Sequence, residues 1–139
     1  MKIITNYIEL STNGKCDIID VTEEIQQNLR VTLLEEGNVT IFNPGSTAGI
    51  TTVEYEDGLV TDIQRVFERL VPEKDPYAHD EAWHDGNGHG HIRSSLLGTS
   101  LVVPFRQAKL LLGTWQQIVF IDFDNRPRTR KIVTQFIGI

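Results

Sequence analysis

The chain has 139 residues, enough for one domain with a buried core. Hydrophobic residues make up 40% and charged residues 23%, and a formal net charge of −6 excludes nucleic acid as the default partner, because no surplus of Lys and Arg exists to release phosphate counterions. The single cysteine, Cys16, excludes an intramolecular disulfide and any CxxC motif, and no segment reads as a signal peptide or a membrane span, so the expected location is the cytoplasm, with no membrane partner.

Residues 2–11 alternate, with Ile4, Ile8 and Leu10 on one side, and read as a strand; Asn13-Gly14 is a turn and residues 16–20 a second short strand. A helix starts near Asp20-Val21-Thr22-Glu23, with Asp20 or Thr22 as its cap. Val21, Ile25, Leu29 and Leu33 form its apolar face and Gly37 its C′ residue. Residues 38–43 are β-rich, and the threonine-rich stretch 47–55 has the composition of a strand. Asp57-Gly58 turns the chain into a second helix, on which Leu59, Ile63, Val66, Phe67 and Leu70 share a face until Pro72 stops it.

Residues 72–90 read as a long polar loop of the kind that carries function. Residues 100–105 and 110–123 read as a hairpin joined near 106–109. After a turn at 124–127, residues 128–137 close a meander. Both faces of 115–123 are largely apolar, which predicts a central strand covered on both sides, with Trp115 anchoring the core. The fold class is α+β: mainly antiparallel, sandwich-like β-sheets with two helices, in a single domain over residues 1–139.

All four histidines, His79, His84, His89 and His91, fall within thirteen residues, among Asp75, Asp80, Glu81 and Asp85. In an extended segment His89 and His91 would point to one side. With His79 as a third ligand they would form an open three-histidine site, suited to zinc or another first-row metal. The competing reading is a polar surface loop with solvent-facing histidines. Other residues carry paired readings. Ser46 and Thr47, in the Pro44–Gly49 stretch, sit in an anion nest or a tight turn. Glu54 is a ligand or base, or an exposed glutamate. Arg126, Arg128, Arg130 and Lys131 form an anion site or a solvated strand face. Gln116, if buried, would recognise a ligand or tie two subunits together. Asp62 and Arg65 read as a helix-surface ion pair. No nucleophile elbow, His-Glu-x-x-His motif or P-loop is present.

Several stretches together resemble the YjbQ family, also called the secondary thiamine-phosphate synthase family. They are Tyr77–Asp80, Asp85–Ile92, Leu97–Leu101 with Pro104, Leu112–Ile118 and Pro127–Arg130. The resemblance spans essentially the whole chain. It implies a YjbQ-like α+β domain assembled as a homotrimer, with a histidine-lined metal site near a subunit interface. The implied activity is a transferase reaction: thiamine phosphate synthesis from a thiazole phosphate and a hydroxymethylpyrimidine diphosphate, with diphosphate leaving. The family's histidines match His79 and His91, His89 matches in the many members with His-x-His, and the family's acidic residue matches Glu54. Gly45-Ser46 stands where many relatives carry His-Thr.

On this resemblance Glu54, His79 and His91 are the catalytic candidates. His79, His89 and His91 are the candidate ligands of a divalent metal: zinc, another first-row transition metal, or magnesium. Three histidines favour the transition metals over magnesium. Ser46, Thr47, Asn87, Arg93, Gln116, Arg128 and Arg130 are the candidates for binding a phosphorylated small molecule, the arginines by clamping its oxygens. Two alternatives use the same residues. One is a metal-dependent hydrolase of a small phosphorylated or ester substrate, with Glu54 or Asp85 as base. The other is a non-catalytic, metal-binding trimeric module.

Overall fold

Two antiparallel sheets of unequal size stack against each other in the computed structural model, which describes residues Met1–Ile139. The larger holds β1 (Lys2–Thr12), β8 (Arg128–Gly138), β3 (Glu36–Phe42), β5 (Ser100–Arg106) and β6 (Lys109–Leu110), in that order. The smaller holds β2 (Asp17–Asp20), β7 (Gln117–Asp122) and β4 (Ala48–Val53). Four helices complete the chain: α1 (Thr22–Thr32), α2 (Asp57–Leu70), α3 (Ala78–Trp83) and α4 (Gly88–Leu97). The α+β class and the antiparallel sheets agree with the sequence reading; the helix count does not. No helix is long and apolar enough to cross a membrane.

The small sheet is the middle layer, and the period-2 alternation of β7 makes it so. Ile118 and Phe120 join Ile50, Val39, Ile132 and Phe136 in the main core, which the α1 side chains Ile25 and Leu29 also enter. Val119, Ile121 and Phe123 point the other way, into a second cluster covered by Ile63 and Phe67 of α2 and Leu97 of α4. The Phe67 and Phe123 rings meet at 4.7 Å. A strand covered on both faces has no polar face to offer, which is why 117–123 is apolar on both sides.

Four expectations are corrected. First, residues 72–90 are not one loop, because α3 and the start of α4 lie within them. Second, 110–123 is not one strand. Gly113–Gln116 forms an exposed turn in which the Gln116 side chain accepts from the Gly113 N–H (3.1 Å) and donates to the Thr52 hydroxyl (3.0 Å). Trp115 stands on this turn at 72% exposure and anchors no core. Third, there is no terminal meander: β7 pairs with β2 and β4, whereas β8 lies between β1 and β3. Period-2 patterning marks a strand and does not name its neighbours. Fourth, Gly37 belongs to β3 and does not end α1.

The start of α1 follows the sequence reading in part. Val21 holds the cap position, and the Asp20 carboxylate accepts from the Thr22 N–H and hydroxyl at 3.0 and 2.6 Å. Its end is Leu33, held left-handed at φ 61° with its side chain 85% exposed. A left-handed leucine costs roughly 1 kcal/mol that a glycine avoids. Leu33→Gly is therefore expected to stabilise the fold by about 0.5–1 kcal/mol, read as a raised urea midpoint at unchanged m-value. A lowered midpoint would contradict this account of the helix end.

Candidate functional site

The Gly88-His89-Gly90-His91 repeat opens helix α4. Residues two apart on a helix lie roughly 200° apart, so His89 and His91 face opposite ways. The extended-segment expectation, with both imidazoles on one side, is corrected here. The same geometry explains the glycines between them. A Cβ on Gly88 would sit 2.7 Å from Tyr77 Cβ, and one on Gly90 would sit 2.8 Å from the Phe123 carbonyl oxygen. The helix start is thus wedged between the α3 segment and the end of β7, where only glycine fits. Ser94 fastens the middle of α4 to β4, its hydroxyl donating to the Ala48 carbonyl at 2.6 Å.

His89 and Arg93 belong to the buried side. His89 is 1% exposed, with its ring 6.4 Å from that of Tyr77. Burial first, and the Arg93 charge second, hold its imidazole below the ordinary histidine range, so it is neutral at pH 7. Arg93 is 3% exposed and donates twice to the Val71 carbonyl and once to Glu68, at 2.8–3.0 Å. It locks α4 to the end of α2. It is not a free oxygen clamp, which corrects its assignment to anion binding.

His91 faces His79 across the α3–α4 hairpin, with ring centroids 4.2 Å apart. Burial first, then His79, lower its pKa against the opposing pull of Asp124, Asp85 and Asp80. His91 is therefore a neutral imidazole near pH 7, able to accept a proton. His79 Nδ1 lies 4.0 Å from the Asp80 carboxylate and has no hydrogen bond. Within one chain no three His, Cys, Asp or Glu side chains gather closely enough to hold a metal. The proposed His79/His89/His91 triad is not assembled here: two of the three meet, and His89 lies on the far side of α4.

Below His91 runs a buried lattice of charge. Asp122 and Asp124 follow Phe120 at alternate positions, and Arg128 and Arg130 oppose them from β8. Arg130 grips Asp122 with two hydrogen bonds, at 2.7 and 2.9 Å, and donates to the Thr47 hydroxyl at 2.8 Å. Arg128 donates to Asp124 at 3.0 Å. Thr47 donates to Asp124 and Thr12 donates to Asp122, at 2.9 and 2.6 Å. Burial alone would raise the Asp124 pKa. The Thr47 hydroxyl, the Asn125 N–H and Arg128 outweigh it and hold the carboxyl below its ordinary value. The arginine-rich segment is thus largely an internal ion lattice. Its outer member Lys131 lies 4.3 Å above the Tyr7 ring, and Asp62–Arg65 is a surface ion pair at 2.7 Å, as expected. Thr47 is spent within the lattice, while Ser46 is exposed on the turn before it.

Between the α3–α4 turn and the β7–β8 turn lies a cavity of about 320 Å³, walled by His84, Asp85, Asn87, Asn125, Arg126 and Arg128. None of the six is apolar. Asn125 ties the two turns together by donating to the Asp85 carbonyl at 2.7 Å. Arg126 is exposed and no carboxylate engages its guanidinium. His84, and Asp85, the alternative base of the hydrolase reading, are part of this wall. Asp122, Asp124 and Asn125 were missed as site residues. The matched i, i+2 spacing of Asp122/Asp124 and Arg128/Arg130 was the available signal.

Glu54 and Gln116 lie elsewhere. Ala48 is opposite Asp122, whereas Val53 is opposite Gln117. Five residue steps at ~3.3 Å place them roughly 17 Å along the strands from the histidine end. There Glu54 and Trp115 line two grooves of about 420 and 490 Å³, and Gln116 lines the first of them. Within one chain they do not join the histidines.

The model of the family described as UPF0047 protein YjbQ-like matches residues 6–139. The chain belongs to the YjbQ/UPF0047 family. A UPF0047 protein of Archaeoglobus fulgidus is 38% identical, over 92% of this chain and 97% of the relative. The UPF0047 protein YugU of Bacillus subtilis is 35% identical, over 94% and 97%. The crystal structure of a YbjQ-like protein from Sulfolobus solfataricus superposes with a TM-score of 0.94 at 30% identity, covering 99% of both chains. The names of these family members state no reaction.

The lattice makes a pH prediction with a definite sign. A carboxyl whose folded pKa is depressed stabilises the fold above its unfolded pKa, and that stability is lost as pH falls through the folded value. Asp124→Asn is expected to cost about 3 kcal/mol at pH 7, since it leaves Arg128 without its buried partner. The gap to the parent chain should begin to close as pH falls below about 4, where the unfolded carboxyl takes up its proton, and should close further as pH falls through the lower folded value. Urea titrations at pH 7 and in acid measure it. A gap that stayed constant with pH would contradict the assignment.

Proposed function

We propose that the cavity between the α3–α4 and β7–β8 turns binds a phosphorylated small molecule, and that His91, backed by His79, handles protons beside it. The observation that carries this reading is the wall itself: six polar side chains, two of them arginines, with Arg126 unpaired. Phosphate oxygens need several charge-assisted donors held in place in advance. Arg128 is fixed by Asp124, Asn125 by Asp85, and Arg126 remains free to take the anion. The volume suits a ligand of a few carbons bearing a phosphoryl group.

Thiamine phosphate synthesis is the transferase reaction that the family resemblance attaches to such a site. The C–O bond between the hydroxymethyl carbon and diphosphate breaks, and its electron pair leaves on the diphosphate, while His91 would take the proton shed by the pyrimidine's amino group and return it after coupling. A C–N bond forms to the ring nitrogen of the thiazole phosphate. Arg126 and Arg128 would stabilise the negative charge that develops on the leaving group. A divalent metal as cofactor is supported less well by the residues. One chain brings two imidazoles together, so an ion here would take its remaining ligands from water, from phosphate oxygens or from a second subunit. Assembly as a homotrimer belongs to the same proposal, with light scattering as its check.

Arg126→Ala is expected to weaken diphosphate binding about tenfold in calorimetry while leaving the thermal midpoint unchanged, because the removed group has no partner within the fold. Equal affinity would sink the phosphate reading. His91→Ala is expected to retain that affinity and to abolish coupling of thiazole phosphate with hydroxymethylpyrimidine diphosphate, followed as thiamine phosphate formed. Full turnover in the variant would remove His91 from the chemistry.

A further inference from the structure

Asn87 occupies the cap position of α4 and does not cap it. Its backbone sits at φ −116°, ψ 16°, and its side chain makes no bond to the helix N–H groups. Asparagine at this position ordinarily accepts from one of the first free N–H groups. Here Asp80 of α3 does so instead, accepting from the Gly88 N–H at 2.9 Å. Asn87 is thereby released from its usual task. It is 5% exposed, it lines the cavity, and its Oδ1 has no hydrogen-bond partner. A buried acceptor without a donor is costly to a fold unless something else supplies the donor.

Phosphate cannot supply it. A dianionic phosphoryl group only accepts, and Arg126, Arg128 and Asn125 already offer donors from the same wall. We infer that the ligand of this cavity carries a hydroxyl or N–H group beside its phosphoryl group, and that Asn87 selects for that donor. The inference rests on the phosphate reading above and adds the second half of the ligand: a phosphomonoester of a polyol or amine, not a simple alkyl phosphate. Asn87 Oδ1 is shielded and unpaired in this structure; a ligand hydroxyl or N–H would supply the donor it lacks, and an alkyl chain would not.

The test compares two probes of equal carbon count, glycerol 3-phosphate and propyl phosphate. It is run by calorimetry on the full chain at pH 8, where phosphoryl groups with a second pKa of about 6 are dianions. Glycerol 3-phosphate is expected to bind at least about fivefold tighter. In Asn87→Leu the ratio should fall to about one, with propyl phosphate affinity retained. In Asn87→Asp, which keeps an acceptor and cannot donate, the preference should survive. Equal affinity of the two probes for the unsubstituted chain would overturn the inference while leaving the phosphate reading standing, and needs no variant to fold. A preference unchanged in Asn87→Leu would overturn it as well. Failure of both probes to bind would overturn the phosphate reading, and this inference with it.

Discussion

Two aspartates buried at the end of the central strand constrain everything around them. Asp122 and Asp124 are at most 1% exposed, so each must be matched by charge and hydrogen bonds or the strand end could not be buried. The match comes from three separate segments. Thr12 ends β1, Thr47 precedes β4, and Arg128 and Arg130 begin β8. One polar knot therefore joins both sheets at one end of the stack. Because a half-satisfied ion lattice is worse than an apolar core, these segments have little freedom to shift. That rigidity is what the candidate site uses. The β7–β8 turn leaves the knot directly, and it carries Asn125, Arg126 and Arg128 to the cavity.

The opposite wall is built by close approach, not by charge. Gly88 and Gly90 let α4 press against Tyr77 on one side and the Phe123 carbonyl on the other. The same 200° alternation sends His89 inward and His91 toward His79. A single repeat thus divides its labour. The glycines set the position of the helix, one histidine fills the interior, and the other is presented to His79.

Much of this was legible in the chain and some was not, for physical reasons. The first six elements followed from periodicity and turn residues, because each segment buries one face or both. Strand neighbours did not follow, since the pattern of β8 is the same whether it pairs with β7 or with β1. Helix α4 was hidden because two glycines and two histidines in its first four residues lower helix propensity. Tertiary packing overrides that propensity once Gly90 meets Phe123. Trp115 misled for the opposite reason: a large apolar residue in an apolar run reads as core, and only the Gly113 turn beneath it puts it outside. The histidine cluster located the site, but it implied a convergent triad that a helix cannot form from residues two apart. Arg93 shows the limit of charge as a signal, since it is absorbed by Val71 and Glu68.

The three buried side-chain atoms left without hydrogen bonds are His79 Nδ1, Asn87 Oδ1 and His89 Nδ1. All lie in the α3–α4 hairpin. The adjoining lattice is denser in charge and leaves no such atom. Random imperfection would scatter orphans through the fold, including the lattice, where they would be hardest to avoid. Their confinement to one hairpin beside one cavity is the pattern expected where local stability is given up for binding. His89 Nδ1 sits beside Tyr77, on the side of α4 away from His91, so it reports on the packing of the hairpin. Asn87 is the one of the three residues that lines the cavity, and His79 Nδ1 belongs to the imidazole pair beside Asp80. Protein groups satisfy the lattice, and the hairpin beside it leaves three of its own polar atoms without a partner.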